Sequence, residues 1–269
     1  MKYAPIFKRI DDLFGNSAIG HFFLFNALNV LLPRSWHLKR ELKIWKKRFP
    51  DHQCVLDSGS GLGQNSYMLS SLNKNWSVKG LDINESLVAH SNKVFRKLGR
   101  ENVIFQTGDL TEPIANEGYD LALGMDIAEY VAEDELMFDN LYKALRPGGA
   151  LLIYSHLIDE KNPHKKRKRL KLVEEQVRNG YRTNEIKEKL KKVGFEKVKC
   201  RPVFGVSGNL SWNLSIYVPL KLLNITFLTV LMLPLYYLLL LPLIIILNYI
   251  ETHTGHLTGT AMFVKAYKI

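Results

Sequence analysis

The chain has 269 residues, with 23% charged and 46% hydrophobic side chains. That is enough apolar material for one α/β domain with additions or two small domains, and it excludes wholesale disorder. Two cysteines, Cys54 and Cys200, exclude a disulfide scaffold and a cysteine-rich zinc site, and read as reduced thiols. The formal net charge of +11 is unevenly spread, with −9 over residues 51–160 and +11 over residues 161–201. Such asymmetry points to an anionic partner, either nucleic acid or a phospholipid surface.

The first apolar stretch runs from Ala18 to Leu32 and stops at Pro33. It is too short to span a bilayer comfortably, and it lacks the charge order and cleavage site of a secretory signal. Lys39, Arg40, Lys43, Lys46, Lys47 and Arg48 follow it. An apolar helix followed by a basic one suits the interface of an anionic leaflet, and equally suits a helix pair packed on the domain. The two are compatible. Residues 1–50 are therefore expected to form a helical, membrane-interfacial segment.

After Pro50 strands and helices alternate. Gln53–Ser58 reads as a strand, Leu62–Leu72 as a helix, and Trp76–Asp82 as a strand. Asn84–Leu98 reads as a helix with Asn84 as N-cap and Gly99 as its stop. Val103–Thr107 and Tyr119–Gly124 follow as strands. Asp134–Leu145 is helical up to Arg146-Pro147-Gly148-Gly149, and Ala150–Ser155 is again a strand. This order predicts a parallel sheet with helices on both faces. Lys165–Arg178 is a candidate basic helix, and Thr183 is the expected N-cap of Glu185–Val193, stopped by Gly194. Phe195–Phe204 and Leu257–Lys268 read as two further strands.

Between those last strands, Leu222–Ile250 contains no charged residue, and Lys221 and Glu251 bracket it. The run exceeds the roughly 20 apolar residues that cross a bilayer as a helix. Pro234 and Pro242 predict broken or kinked helices. Burial in an oligomer, or a lid over an apolar ligand, would use the same residues. His253 and His256 lie close together but lack firm further ligands, so no metal site is expected.

Val55-Leu56-Asp57-Ser58-Gly59-Ser60-Gly61-Leu62-Gly63-Gln64 falls where the first strand meets the first helix of the alternating region. Three glycines let the backbone pass close beneath a ligand and open a helix N-terminus. The spacing is G-x-G-x-G, not the G-x-G-x-x-G of a dinucleotide fold, and Asp57 would repel a pyrophosphate. A cationic ligand with an amino-acid end would be attracted.

This stretch resembles motif I of class I S-adenosylmethionine-dependent methyltransferases. Leu81-Asp82, Thr107-Gly108-Asp109-Leu110, Tyr119–Asp126 and the Leu145–Ile153 segment with its L-R-P-G-G run resemble that family's later motifs, in order, over about residues 50–204. The resemblance implies a seven-stranded, mostly parallel Rossmann-like α/β sheet whose sixth and seventh strands form an antiparallel pair. It also implies S-adenosylmethionine as cofactor, held by Asp57, Gly59, Ser60, Gly61, Gly63, Asp82, Ile83, Asp109, Leu110 and Met125. Asp57 would attract the α-ammonium, Asp82 would accept the ribose hydroxyls, and Asp109 would meet the adenine. Candidate catalytic residues near the strand ends are His156, Asp126 and Glu129. Many family members carry Glu-His after the fourth strand, where this chain has Glu129-Tyr130.

The expected organisation is an N-terminal segment 1–50, a cofactor-binding core 51–204, an apolar insertion 205–256 and a last core strand 257–269. If the last two strands pair, the insertion must enter a bilayer and return on the same side, or lie along the interface. The basic run His164–Arg169 would then face an anionic membrane surface. It lacks the interleaved aromatics of a nucleic-acid site, so no nucleic-acid partner is expected. These features predict a membrane-associated methyltransferase for an apolar or lipid-like acceptor, with its catalytic domain on the cytoplasmic side. A methyltransferase for a soluble small molecule and a non-catalytic membrane scaffold are the alternatives, and oligomeric state is left open.

Overall fold

The computed structural model describes residues 15, 17–115, 118–158, 176–225 and 227–269. The basic run His164–Arg169, and the first eleven residues of the helix expected over Lys165–Arg178, lie outside the described residues. The last three of that stretch are not helical.

Among the described residues two helices come first, α1 (Ala18–Leu31) and α2 (Pro33–Arg48). Ser17 caps α1 by accepting the Gly20 amide, and Pro33 opens α2 at a position where no amide donor is needed. The core then runs β1 (Cys54–Ser58), α3 (Gln64–Leu72), β2 (Ser77–Asp82), α4 (Glu85–Lys97), β3 (Val103–Thr107), β4 (Tyr119–Met125), α5 (Asp134–Ala144) and β5 (Leu145–His156). After α6 (Thr183–Val193) come β6 (Glu196–Val203), α7 (Val206–Trp212), α8 (Val218–Ile225), α9 (Leu233–His253) and β7 (Ala261–Tyr267).

The seven strands form one sheet in the order β3-β2-β1-β4-β5-β7-β6, and only β7 runs against its neighbours. Strand residues alternate between two apolar layers. Val55, Leu121, Leu123, Met125, Leu152 and Tyr154 face α1, α2 and α3, while Leu56, Ala122, Leu151 and Ile153 face the opposite layer with Phe138 and Tyr181. The class I methyltransferase sheet expected from the motifs is therefore present, with the antiparallel last pair.

Several boundaries differ from expectation. Strand β5 begins at Leu145 and includes the Pro-Gly-Gly run, because Leu145 already pairs with Tyr119 before an irregularity in register. Thr183 is the first residue of α6, not its cap, and Arg182 takes the cap position. The apolar insertion is not broken at its prolines. Pro234 lies in the first turn of α9, where its missing amide costs nothing, and α9 continues through Pro242. The break comes earlier, in the short 3-10 segment Phe227–Met232.

The insertion is a helical hairpin. Helix α7 and a π-helical turn, Asn213–Tyr217, lie along α9. Tyr236 and Tyr237 donate from α9 to the Leu214 and Ser215 carbonyls at 2.7 Å each, and Ser211 donates to Asn248 at 2.7 Å. At the base, the buried Glu251 carboxylate accepts the Phe204 amide (2.6 Å), the Gly208 amide and the Ser207 hydroxyl (2.9 Å each). His37 of α2 lies 3.3 Å from the same carboxylate, and Arg40 donates to the Thr252 carbonyl. Beyond this base the hairpin is bare. Thr229–His253 is long and apolar enough to cross a membrane, and its most apolar 18-residue stretch has a mean hydropathy of 2.7, yet only 6% of that stretch is buried.

Candidate functional site

The site is built at the carboxyl edge of the sheet, where β1 turns into α3. Gly59, Gly61 and Gly63 all have positive φ (70°, 53° and 87°), the conformation that glycine adopts without strain. Two of them are also sterically required. A Cβ on Gly59 would lie 2.7 Å from the Ile127 side chain, and one on Gly63 would lie 2.7 Å from Phe105 and 2.8 Å from Phe95. Gly63 is the left-handed N-cap of α3, one residue before the helix, so the last glycine ends the turn and starts the helix at once.

The turn is clamped to the neighbouring strand. The amides of Gly59 and Ser60 both donate to the Leu81 carbonyl, at 2.8 and 3.0 Å. The Gly61 amide donates to Asp82 Oδ2 at 2.8 Å, and the Asn84 amide donates to Asp82 Oδ1 at 2.9 Å. Asp82 thus bridges the glycine turn and the start of α4, and each of its oxygens retains acceptor capacity. Asn84 caps α4 as expected, accepting the Ser86 and Leu87 amides.

Asp57 is fully buried. Ser66 of α3 donates to its Oδ2 at 2.6 Å, while its Oδ1 has no hydrogen-bond partner among the described residues. Burial pushes its carboxyl up to about 6, hydrogen bonds from Ser66 and Asn65 oppose that, and the nearby Asp82 charge adds to it. The hydroxyls of Ser58 and Ser60 are likewise buried without partners. Three unpaired polar atoms on one short turn are unusual in a folded protein and mark a place where a ligand or ordered water completes the bonding.

The other expected cofactor residues fall around this turn with different roles. Ile83 is 52% exposed beside Asp82, whereas Leu110 and Met125 are buried in the two apolar layers. Asp109 Oδ1 accepts both the amide and the hydroxyl of Thr111 at 2.8 Å, so half of that carboxylate closes its own turn. Asp126, at the end of β4, has a φ of +57° and forms an ion pair with Arg34 of α2. Arg34 also reaches Gln64 at 3.3 Å, and Gln64 donates to Asn29 and Ser35 at 3.0 Å. The N-terminal helices therefore fold over the glycine turn and form one wall of the site.

The remaining pair lies one strand further along. Glu129 sits in a short 3-10 turn, Ala128–Tyr130, and is buried. Its Oε1 accepts the Ser155 hydroxyl (2.8 Å), the His156 amide (2.7 Å) and His156 Nδ1 (3.1 Å). Burial would raise this carboxyl, but the His156 and Ser155 hydrogen bonds outweigh it and hold the group below the usual range. His156 itself is about one-third exposed.

Reading the sequence alone missed Arg34, Gln64, Ser66 and Ile127. Arg34 is 92 positions from its partner Asp126, and nothing in a Pro-Arg dipeptide after an apolar helix signals that contact. Ser66 follows Gly63 by three residues, on the face of α3 that meets β1, and helical spacing alone could have suggested it.

Comparisons with known proteins agree with this architecture. Residues 51–194 match a family model described as a methyltransferase domain. Among curated proteins, an arsenite methyltransferase of Halobacterium salinarum is 28% identical over 103 residues, covering 38% of this chain and 26% of that protein. The chain thus spans about a quarter of the length of the curated relative it matches. Phosphoethanolamine N-methyltransferase 2 of Haemonchus contortus, solved with phosphomonomethylethanolamine and S-adenosylhomocysteine, superposes with a TM-score of 0.61 at 19% identity, covering 97% of this chain and 60% of that one. The cyclase SpnF superposes with a TM-score of 0.58 at 17% identity, covering 86% and 81%. These structural likenesses establish the fold, and the cyclase carries a name from a different chemistry on it.

Proposed function

Because the chain belongs to the methyltransferase-domain family, we propose that it transfers a methyl group from S-adenosylmethionine to an apolar, lipid-like acceptor at a membrane surface. The residues at the glycine turn fit that cofactor. The unpartnered Asp57 oxygen suits an α-ammonium, the glycines admit the amino-acid part close to the main chain, and Asp82 keeps lone pairs for ribose hydroxyls. Ile83, Leu110 and Asp109 would flank the adenine and Met125 the methyl group. Arg34, held between Gln64 and Asp126, is a cation on this wall that would meet a carboxylate. When bound, S-adenosylmethionine supplies an electrophilic methyl group whose bond to sulfur breaks with the electron pair left on sulfur.

The acceptor class rests on one observation, the register of the last three strands. His156 of β5 pairs with Ala261 of β7, and Ala261 pairs with Val203 of β6. The apolar hairpin, which starts just after Val203 and returns just before Ala261, therefore springs from the same edge as the glycine turn, Asp126 and His156. An apolar molecule moving along the hairpin arrives at the cofactor side of the sheet, not at its far edge. Ile19, Phe22 and Phe23 of α1 and Leu235, Leu238, Leu239 and Ile246 of α9 are exposed, as a bilayer-facing surface requires. Lys39, Arg40, Lys43, Lys47 and Arg48 are exposed on α2 and would favour an anionic leaflet, which supports a catalytic domain on the cytoplasmic side.

The name of the arsenite relative does not carry over well. Arsenic in that state is soft and prefers thiolates, and Cys54 opens β1 at the edge opposite the glycine turn while Cys200 lies within β6. The reading is tested by incubating the full chain with tritium-labelled S-adenosylmethionine and bacterial membrane vesicles, then separating lipid and aqueous pools. Label is expected in the lipid pool, and label confined to the aqueous pool would reject the lipid acceptor.

A further inference from the structure

Glu129 and His156 form a carboxylate–imidazole pair that the cofactor cradle does not use. They come from different elements, a 3-10 turn after β4 and the last residue of β5. The pair is fixed from several directions. The Val177 and Arg178 amides donate to the Glu129 carbonyl at 2.9 and 3.3 Å, and the Tyr181 amide donates to the His156 carbonyl at 2.9 Å. Glu129 Oε1 collects the Ser155 hydroxyl, the His156 amide and His156 Nδ1, so the ring is held by the same atom that holds its own backbone.

That arrangement selects one tautomer. A buried carboxylate accepts, so Nδ1 carries the hydrogen and Nε2 is left as the bare, proton-accepting nitrogen. His156 shares a face of β5 with Tyr154, their rings 6.2 Å apart, and Tyr154 packs on Phe204 at the foot of the apolar hairpin, 5.7 Å away. The imidazole thus stands between the end of β4 and the root of the hairpin, along the path assigned to the acceptor.

Resting on the methyl-transfer reading above, we propose that His156 is the general base, that Glu129 is its positioning residue, and that the acceptor presents a weakly acidic hydroxyl, of phenol or enol type. The proton of that hydroxyl passes to Nε2, and the electron pair it leaves on oxygen forms the new bond to the methyl carbon. The imidazolium so formed is balanced by the Glu129 carboxylate. A phenol or enol is a far stronger acid than an aliphatic alcohol and so the closer match to an imidazole base, and a tertiary amine has no proton to give. Among the described residues, the titratable and charged groups near the pair are Tyr154 on the same strand and the Arg178–Asp134–Tyr181–Lys189 cluster behind the turn, in which Asp134 lies 2.7 Å from both Arg178 and Lys189.

The test uses the full chain in detergent micelles, with two probes of equal chain length, 4-dodecylphenol and dodecyldimethylamine. Calorimetry with S-adenosylhomocysteine is run first on every variant. The phenol is expected to gain the labelled methyl and the amine is not. His156→Gln is expected to lower the phenol rate about 10²–10³-fold with S-adenosylhomocysteine affinity unchanged. Glu129→Gln is expected to lower kcat for the phenol about tenfold with KM unchanged, since a neutral amide balances the imidazolium less, whereas a merely structural role would raise KM as well. Nitrogen NMR of the S-adenosylhomocysteine complex should find the hydrogen of His156 on Nδ1. The proposal is overturned by a hydrogen on Nε2, by equal transfer to the amine, by a phenol rate indifferent to His156→Gln, or by no phenol transfer from a chain that binds S-adenosylhomocysteine. A chain that does not bind S-adenosylhomocysteine overturns the underlying methyl-transfer reading, and this proposal with it.

Discussion

The glycine turn and the apolar hairpin are incomplete in opposite ways. At the turn, polar atoms are buried without partners among the described residues: Asp57 Oδ1 and the hydroxyls of Ser58 and Ser60. On the hairpin, apolar side chains are exposed without partners, with Leu231, Leu238 and Leu239 each about 70% accessible or more. A folded chain tolerates either state at a cost, because unpaired buried polar groups and exposed apolar patches both disfavour the native state in water. On the function proposed above, a small polar ligand would repair the first defect and an apolar phase the second. The two repairs fall on one edge of the sheet, which is why a single molecule can be read as joining them.

The widest separation between the regions should come from stripping the hairpin. Replacing Leu235, Leu238, Leu239 and Ile246 with serine removes roughly 1.5–3 kcal/mol of burial per side chain in a bilayer. Sedimentation with lipid vesicles in high salt should fall by more than about a thousandfold, while S-adenosylhomocysteine binding stays as it was. Persistent pelleting would locate the anchor elsewhere.

Next in size is Gly63→Val. It forces a branched side chain into a φ of +87° and against Phe105 and Phe95, at a cost of about 3–5 kcal/mol. The thermal midpoint should drop and ligand binding should vanish, with vesicle binding retained by whatever fraction stays folded.

Asp57→Asn should move stability and function in opposite directions. The folded protein holds the Asp57 proton up to about pH 6, against 3.8 as its unperturbed value. Between those values the unfolded chain is the one that ionises, so wild-type stability declines from about pH 4 to pH 6 and then levels off. The amide keeps an acceptor for Ser66 and escapes that decline. Its advantage, no more than about 3 kcal/mol, should appear in thermal melts above pH 6 and disappear near pH 4. Calorimetry should show S-adenosylhomocysteine affinity at least about tenfold weaker. A variant that binds as well as wild type would remove Asp57 from the cradle.

The smallest effect belongs to Arg34→Ala. The pair with Asp126 is partly exposed, so stability should change by less than about 1 kcal/mol. Affinity for S-adenosylhomocysteine should still weaken severalfold in calorimetry, and an unchanged affinity would leave Arg34 as a mere brace for α2.

These regions were not equally legible in the sequence. The glycine turn was readable because its chemistry is local: three glycines and Asp57 lie within seven residues, and Asp82 ends the next strand at the expected interval. The Asn84 cap was readable for the same reason. Glu251 was not. It closes a run of apolar residues and looks like the charge that ends a membrane segment, yet it is buried and faces His37, 214 positions away. Pro242 misled in the other direction, since a proline inside a long apolar helix need not break it when the ladder on both sides is intact. Glu129 and His156 were each visible as titratable residues near strand ends. Their partnership was not, because it depends on two loops returning to the same edge.

Glu251 joins parts of the molecule that would otherwise be strangers. It fastens the return leg of the hairpin, the exit from β6, and α2 through His37, one helical turn from Arg34. A helix is a stiff rod over so short a distance. The greasy arm and the wall of the nucleoside pocket are therefore mounted on one common bracket, and neither can swing without tugging on the other.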